Sequence, residues 1–147
     1  MKTLFAIVSL LLIWPLICLA QSVNKIPVAV GHQGQDSEGK IIALKLKEAI
    51  RSSQRFVLVD DDSTRPRIAL RMTSTKTTVD NRLVGNTVSY AIVYDSRNMP
   101  ANGAFLTVSG LNCNRAELEF CASLIVASLE EWTDRLRLQW PELWKTL

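Results

Sequence analysis

Between Arg67 and Leu111 the chain repeats one pattern three times, with apolar and polar side chains alternating at period two. Arg67 to Lys76 sets Ile68, Leu70 and Met72 on one side and Arg67, Arg71 and Thr73 on the other. Asn86 to Tyr94 gathers Val88, Tyr90, Ile92 and Tyr94 on one side, and Gly103 to Leu111 sets Phe105, Thr107 and Ser109 against Leu106 and Val108. Successive side chains of a strand point to opposite faces, so this alternation marks a sheet with one covered face and one wet face. The connections, Asp80-Asn81 to Gly85-Asn86 and Ser96 to Gly103, are rich in turn formers and suit an antiparallel meander. A sheet of this kind must be covered on one side by the rest of the chain.

The flanking segments supply that cover. Ile26 to Val30 reads as a buried strand, with Pro27 confined to its first residues or an edge because it has no N–H for the ladder. Gly31 to Gln35 follows as a loop. Asp36 or Ser37 can then cap a helix whose apolar face is Ile42, Leu46, Ala49 and Ile50. Phe56 to Val59 is a second short strand, stopped by Asp60-Asp61-Asp62. A last helix starts at Asn114, with Glu117 at capping-box spacing and Leu118, Cys121, Ala122, Ile125, Leu129, Trp132 and Leu136 on its apolar face. The expected fold is α+β, a two-layer α/β sandwich with a mixed sheet of about five strands and two main helices, in the order β-α-β-β-β-β-α. Strands one and two, joined through a helix, should be parallel.

The first twenty residues bound the setting. Lys2, the apolar run Leu4 to Ile13, Pro15 and the small-residue ending Cys18-Leu19-Ala20 have the layout of a secretory signal peptide, with cleavage expected near Ala20. The run is shorter than the ~20 residues a membrane anchor wants. Leu16 and Ile17 stand where lipoprotein processing of Cys18 would want small residues. The expectation is therefore residues 1–20 as a leader, 21–138 as one α/β domain and 139–147 as a tryptophan-containing tail, working in the periplasm or as a secreted protein. The formal charge of +3 drops by one with Lys2, and the remaining charges are interspersed. Neither a nucleic-acid surface nor an acidic tail is implied.

The order of elements resembles the N-terminal domain of TolB and the periplasmic domains of the CsgG and LpoB type. The residues that carry the likeness are Ile26 to Val30, the helix Ile41 to Ile50, Arg55-Phe56-Val57-Leu58-Val59-Asp60, Ile68 to Met72, Tyr90 to Asp95 and the closing helix. The resemblance implies an interaction module of the cell envelope, and the absence of a nucleotide or metal motif in the sequence leads to the separate expectation of no cofactor. Only Gln21 to Lys25 precede the first strand, so the N-terminal arm with which TolB recruits its partner has no counterpart and no partner identity follows.

Several residue sets invite chemistry. Gly34-Gln35-Asp36-Ser37-Glu38-Gly39-Lys40 has the glycine and lysine spacing of a phosphate loop. Ile41 offers no hydroxyl for magnesium, and Asp36 and Glu38 put carboxylates where phosphates would lie, so no nucleotide is expected. His32 is the only histidine, and it could be drawn with Ser37 and Asp60 into a hydrolytic set, or with Asp60 and Asp95 into a loop site for a small exported hydrolase or enzyme inhibitor. No nucleophile elbow accompanies it. Asp60 to Asp62 with Ser63 lacks the glycine and distal acid of a calcium loop.

Cys113 and Cys121 are the two cysteines beyond the leader, and in an oxidising compartment they are expected to pair. A helix starting at Asn114 would put Cys121 ~10 Å along the axis from Cys113, against the ~4.4–6.8 Å between Cα atoms that a bridge requires. Either the preceding loop folds back or the helix begins later. The tail offers the expected partner surface: Trp140 and Trp144 with Arg137, a composition typical of binding hot spots and also suited to a membrane surface. The alternative is that both tryptophans clamp the tail onto the domain. The expected function is an exported accessory or binding module that contacts an envelope protein, without catalysis.

Overall fold

The structure is a computed structural model that describes residues 25–60, 65–97 and 104–147. The leader and the acidic run from Asp61 to Ser63 lie outside the described residues. Strand β1 (Ile26–Gln33) leads into helix α1 (Ser37–Ser52), and strand β2 (Phe56–Leu58) follows. Strands β3 (Arg67–Val79), β4 (Arg82–Asp95) and β5 (Ala104–Cys113) come next. A 3-10 turn (Arg115–Glu117), helix α2 (Leu118–Gln139) and short helix α3 (Pro141–Trp144) close the chain. The five strands form one mixed sheet in the order β2-β1-β3-β4-β5. β1 is parallel to both β2 and β3, and β3, β4 and β5 are antiparallel. This is the two-layer α/β sandwich that the alternation and the helix periodicity predict.

The core lies between one face of the sheet and the two long helices. Val28, Ile68, Leu70, Met72, Val88, Tyr90, Ile92 and Tyr94 supply the sheet side. Ile42, Leu46 and Ile50 of α1 and Cys121, Ile125, Leu129 and Leu136 of α2 supply the helix side. Ala49 is only half-buried, and on α2 the position expected for Trp132 is filled by fully buried Thr133. Trp132 is displaced to the rim, where Arg135 stacks 4.7 Å from its ring centre. A bulky indole at the rim keeps its apolar surface partly covered while the guanidinium shields the rest.

Three local features depart from the sequence pattern, each for a physical reason. The β3–β4 hairpin closes on two residues, Asp80 and Asn81, both at positive φ (51° and 61°). Short polar side chains tolerate this backbone and it matches strand twist, so Val79 pairs with Arg82 and the stretch up to Asn86 is strand instead of loop. In β5, Val93 faces Phe105 while Ile92 faces Thr107, which makes Leu106 an extra residue. That bulge puts Phe105 and Val108 on the same face, where unbroken alternation had opposed them. Lastly, Arg67 belongs to the wet face by period but is fully buried.

Arg67 is buried because its partner stands directly opposite on β4. In register with Asp95, it donates from Nε and Nη2 to Asp95 Oδ2 at 3.1 and 2.9 Å, and from Nη1 to the Asp60 carbonyl at 2.9 Å. Arg65 adds a second cation 3.3 Å from the same carboxylate oxygen. Removing one member of such a pair strands the other charge away from water. Asp95→Ala is therefore expected to lower unfolding stability by about 3–5 kcal/mol, measured by urea titration at neutral pH. A loss below about 1 kcal/mol would show that water or other groups take over the guanidinium.

Candidate functional site

Two features of the fold carry polar or exposed groups in an arrangement beyond simple packing: the junction between α1 and the sheet, and the sheet face that the helices leave open.

At the junction, β1 ends near His32 and the chain turns through Gly34, at φ 154°, a region that side-chain-bearing residues rarely occupy. Asp36 then caps α1, accepting the Gly39 N–H on Oδ2 at 2.6 Å. The same carboxylate accepts Ser74 Oγ–H of β3 at 2.7 Å and Asn86 Nδ2–H of β4 at 2.9 Å. Ser74 Oγ also lies 2.7 Å from His32 Nε2. Since the hydroxyl has a single proton and gives it to Asp36, Nε2 is the donor in this contact. Gly39 is required by close approach, because a Cβ there would sit 1.8 Å from Ser74 Oγ.

Burial raises the Asp36 pKa as the largest single influence, but the hydrogen bonds from Ser74 and the backbone amides, with the charge of His32, outweigh it and hold the carboxyl below its ordinary value. Beside it, Ser37 Oγ–H donates to Glu38 at 2.8 Å. That bond first, then its own amide, Asn86 and the charge of Lys76, against burial, likewise lowers the Glu38 carboxyl. Asn86 Oδ1 has no hydrogen-bond partner among the described residues.

The proton order decides what this cluster can do. In a hydrolytic triad the histidine stands between serine and carboxylate and takes the hydroxyl proton. Here the serine stands between histidine and carboxylate, is 6% exposed, and points its proton at Asp36. The arrangement locks the helix to the sheet instead of activating a nucleophile. It also accounts for the phosphate-loop spacing: the carboxylate of Asp36 occupies the amide a phosphate would take, and Gly39 makes room for Ser74.

The residues of the loop-site reading do not come together. His32 is the register neighbour of Met72 and Asp95 that of Arg67, five positions apart along β3. At ~3.3 Å per residue this is roughly 16 Å. Asp60 and Asp95 do meet, through Arg67. Ser37 bonds Glu38.

The two cysteines come together as expected, with Cα atoms 6.1 Å apart and the sulfurs at disulfide distance. The helix begins later than Asn114, as one of the two alternatives required. The side chain of Asn114 accepts Ala116 N–H and opens a 3-10 turn, so Cys121 lies in the first turn of α2.

The tail residues are split. Trp144 packs against the core together with Leu143 and Leu147, and Tyr94 Oη meets Thr146 Oγ1 at 2.6 Å. The guanidinium of Arg137 lies 6.0 Å from the Trp144 ring centre and 3.7 Å from Asp134. Trp140 remains 44% exposed.

The second feature is the outer face of the sheet. All the long helices lie on the other side, so among the described residues no helix covers it. A groove of ≈ 400 Å³ crosses it, lined by Gly31, Arg71, Thr73, Ser89, Phe105 and Val108 among others. Phe105 is 62% and Val108 67% exposed. By sequence, Phe105 is expected to share one strip, core if covered and a partner groove if open, with Tyr90 and Ile92. In the structure those two are core, and Phe105 is on the opposite side. The signal that could have exposed the junction was Gly39 itself, a poor residue for the first turns of a helix unless another element approaches closely.

Among the described residues no helix is long and apolar enough to cross a membrane. No protein-family model matches the sequence, and no curated protein matches it. Among solved structures, the hypothetical protein CT253 from Chlamydia trachomatis is similar at a TM-score of 0.38 and 10% identity, over 60% of this chain and 71% of that one. A likeness at that level identifies neither fold nor function.

The junction makes a pH prediction. A carboxyl held below its unfolded pKa contributes stability that is complete above the unfolded value and is lost as pH falls through the folded one. Wild type should therefore exceed Asp36→Ala by about 2–3 kcal/mol at pH 7, from the lost cap and two stranded donors. The gap should narrow on acidification below the ordinary carboxylate value of 3.8. A gap that stays constant down to pH 2 in thermal unfolding contradicts the assignment. Gly39→Ala should destabilise too, and Ser74→Ala in the same chain should recover part of that loss.

Proposed function

We propose that this chain is an exported binding module of the cell envelope, non-catalytic, that contacts another protein through the outer face of its sheet. The observation that carries the reading is the groove beside Phe105 and Val108: an aromatic and an aliphatic side chain in solvent, next to the Arg71 guanidinium and the hydroxyls of Thr73 and Ser89. An exposed apolar patch with a polar rim is the usual composition of a contact site, since burying it is favourable only when a partner supplies the cover. The leader-like composition of Lys2 to Ala20 and the pairing distance of Cys113 and Cys121 support an oxidising, extracytoplasmic setting. The resemblance to TolB-, CsgG- and LpoB-type domains rests on element order and adds the envelope as the place to look.

Trp140, Trp144 and Arg137 form the second surface to compare, because Trp140 is exposed while Trp144 and Arg137 are engaged with the domain and with each other. A photoreactive residue placed at 105, at 108 or at 140 in cells distinguishes the two. A discrete adduct with another envelope protein at 105 and 108, absent at 140, is the expected outcome. Adducts at 140 alone would move the contact to the tail, and no adduct at any position would contradict the binding reading.

A further inference from the structure

Beyond that contact, we infer that β5 and the adjoining flank of α2 form a two-fold interface with a second copy of this chain. β5 is the edge of the sheet on its side, and among the described residues no backbone hydrogen bond reaches its open side. An edge strand directs every second N–H and C=O outward and is a template for another strand. Edges that must stay unpaired are usually guarded by charge or proline. From Ala104 to Cys113 there is no Lys, Arg, Asp, Glu or Pro, in a sequence that is 21% charged. The bulge at Leu106 leaves Thr107–Cys113 as the regular pairing segment.

The choice of a second copy over another partner follows from charge and from layering. In a two-fold antiparallel pair each side chain meets itself or a near neighbour of its own strand. A charge on such a strand would face its like, which is destabilising, and a strand without charges is self-complementary.

The helix layer offers a matching surface. α2 turns Cys121, Ile125 and Leu129 to the core, and turns Glu119, Ser123 and Val126 towards α1, where Glu119 meets Lys45 at 2.8 Å. At about 100° per residue, Phe120 points outward to solvent and Leu124 beside it falls on the flank turned away from α1, on the β5 side to which the Cys113–Cys121 pair ties this helix. They are 61% and 43% exposed. An extended peptide on β5 would leave this flank wet, whereas a second two-layer domain covers strand and helix together. The Cys113–Cys121 link holds the two layers in fixed relation before any partner arrives, so little order is lost on pairing.

The test is sedimentation of the chain as cells produce it, over a dilution series, with amide hydrogen exchange on the same samples. Expected are a mass twice the monomer at high concentration, falling on dilution, and protection of alternate amides within Thr107–Cys113 that falls with it. Val108→Lys with Leu124→Glu, both at exposed positions, should be monomeric with an unchanged circular dichroism spectrum. A monomer at every concentration overturns the inference. So does a dimer that persists in the folded double variant, or one whose β5 amides exchange alike at all dilutions. If the double variant does not fold, the dilution series on the wild-type chain decides.

Discussion

The carboxylate of Asp36 is where the helical layer and the sheet are joined. One oxygen receives the first-turn amide of α1 and a side chain of β4, and the other receives a hydroxyl of β3. A cap that served the helix alone would satisfy one orphan amide and leave the helix free to slide on an apolar face. Directional bonds to two strands fix its position along the sheet. Apolar packing, which is non-directional, then fills the space beneath with Ile42, Leu46 and Ile50. Gly34 and Gly39 are the geometric cost of this arrangement, since both lie within contact of Ser74 and His32.

With α1 fixed, the remaining anchors place α2 on the same side. Arg55 grips Asp134 with two hydrogen bonds of 3.1 and 2.5 Å, Lys45 meets Glu119, and the cysteine pair ties the start of α2 to the end of β5. At the far end Tyr94 and Thr146 hold the tail down. Every one of these contacts lies on one side of the sheet or at its rim. The fold is therefore lopsided among the described residues: the inner face is packed under both long helices, while on the outer face Ala29, Arg67, Ala69, Val93 and Asp95 are withdrawn from solvent at one end and the surface around Phe105 and Val108 is exposed. Its open groove follows from that asymmetry and gives the binding reading its physical basis.

Much of the fold was legible in the sequence because its signals are local. Period-two alternation marked β3 and β4, and period 3.6 marked both helices. The apolar faces were right at Ile42, Leu46, Ile125 and Leu129. What escaped depends on residues distant in the chain. Nothing near Arg67 announces Asp95, 28 positions on, and so its burial was invisible. A single extra residue at Leu106 turned Phe105 to the other face, which alternation alone does not register. Trp132 packs against the edge of the core, while its neighbour Thr133 takes the fully buried place, a difference of one position that the helix stripe alone does not resolve. Of the junction, the helix cap at Asp36 was legible, while its partners Ser74 and Asn86 were ordinary polar residues of two strands. Of the contact surface, Trp140 and Trp144 drew notice by composition, whereas the groove arises from which face the helices leave bare, a property of the assembled layers.

The central claim is that the outer sheet face is the working surface, and hydroxyl-radical footprinting tests it most directly. Labelling of Phe105 and Val108 in purified protein is compared with labelling in intact envelopes, with purified samples at matched oligomeric state and buried Met72 and Tyr90 as internal references. The account predicts strong labelling of Phe105 and Val108 when purified and clear protection in the envelope, with the references low in both. Equal labelling of Phe105 and Val108 in the two settings would contradict it.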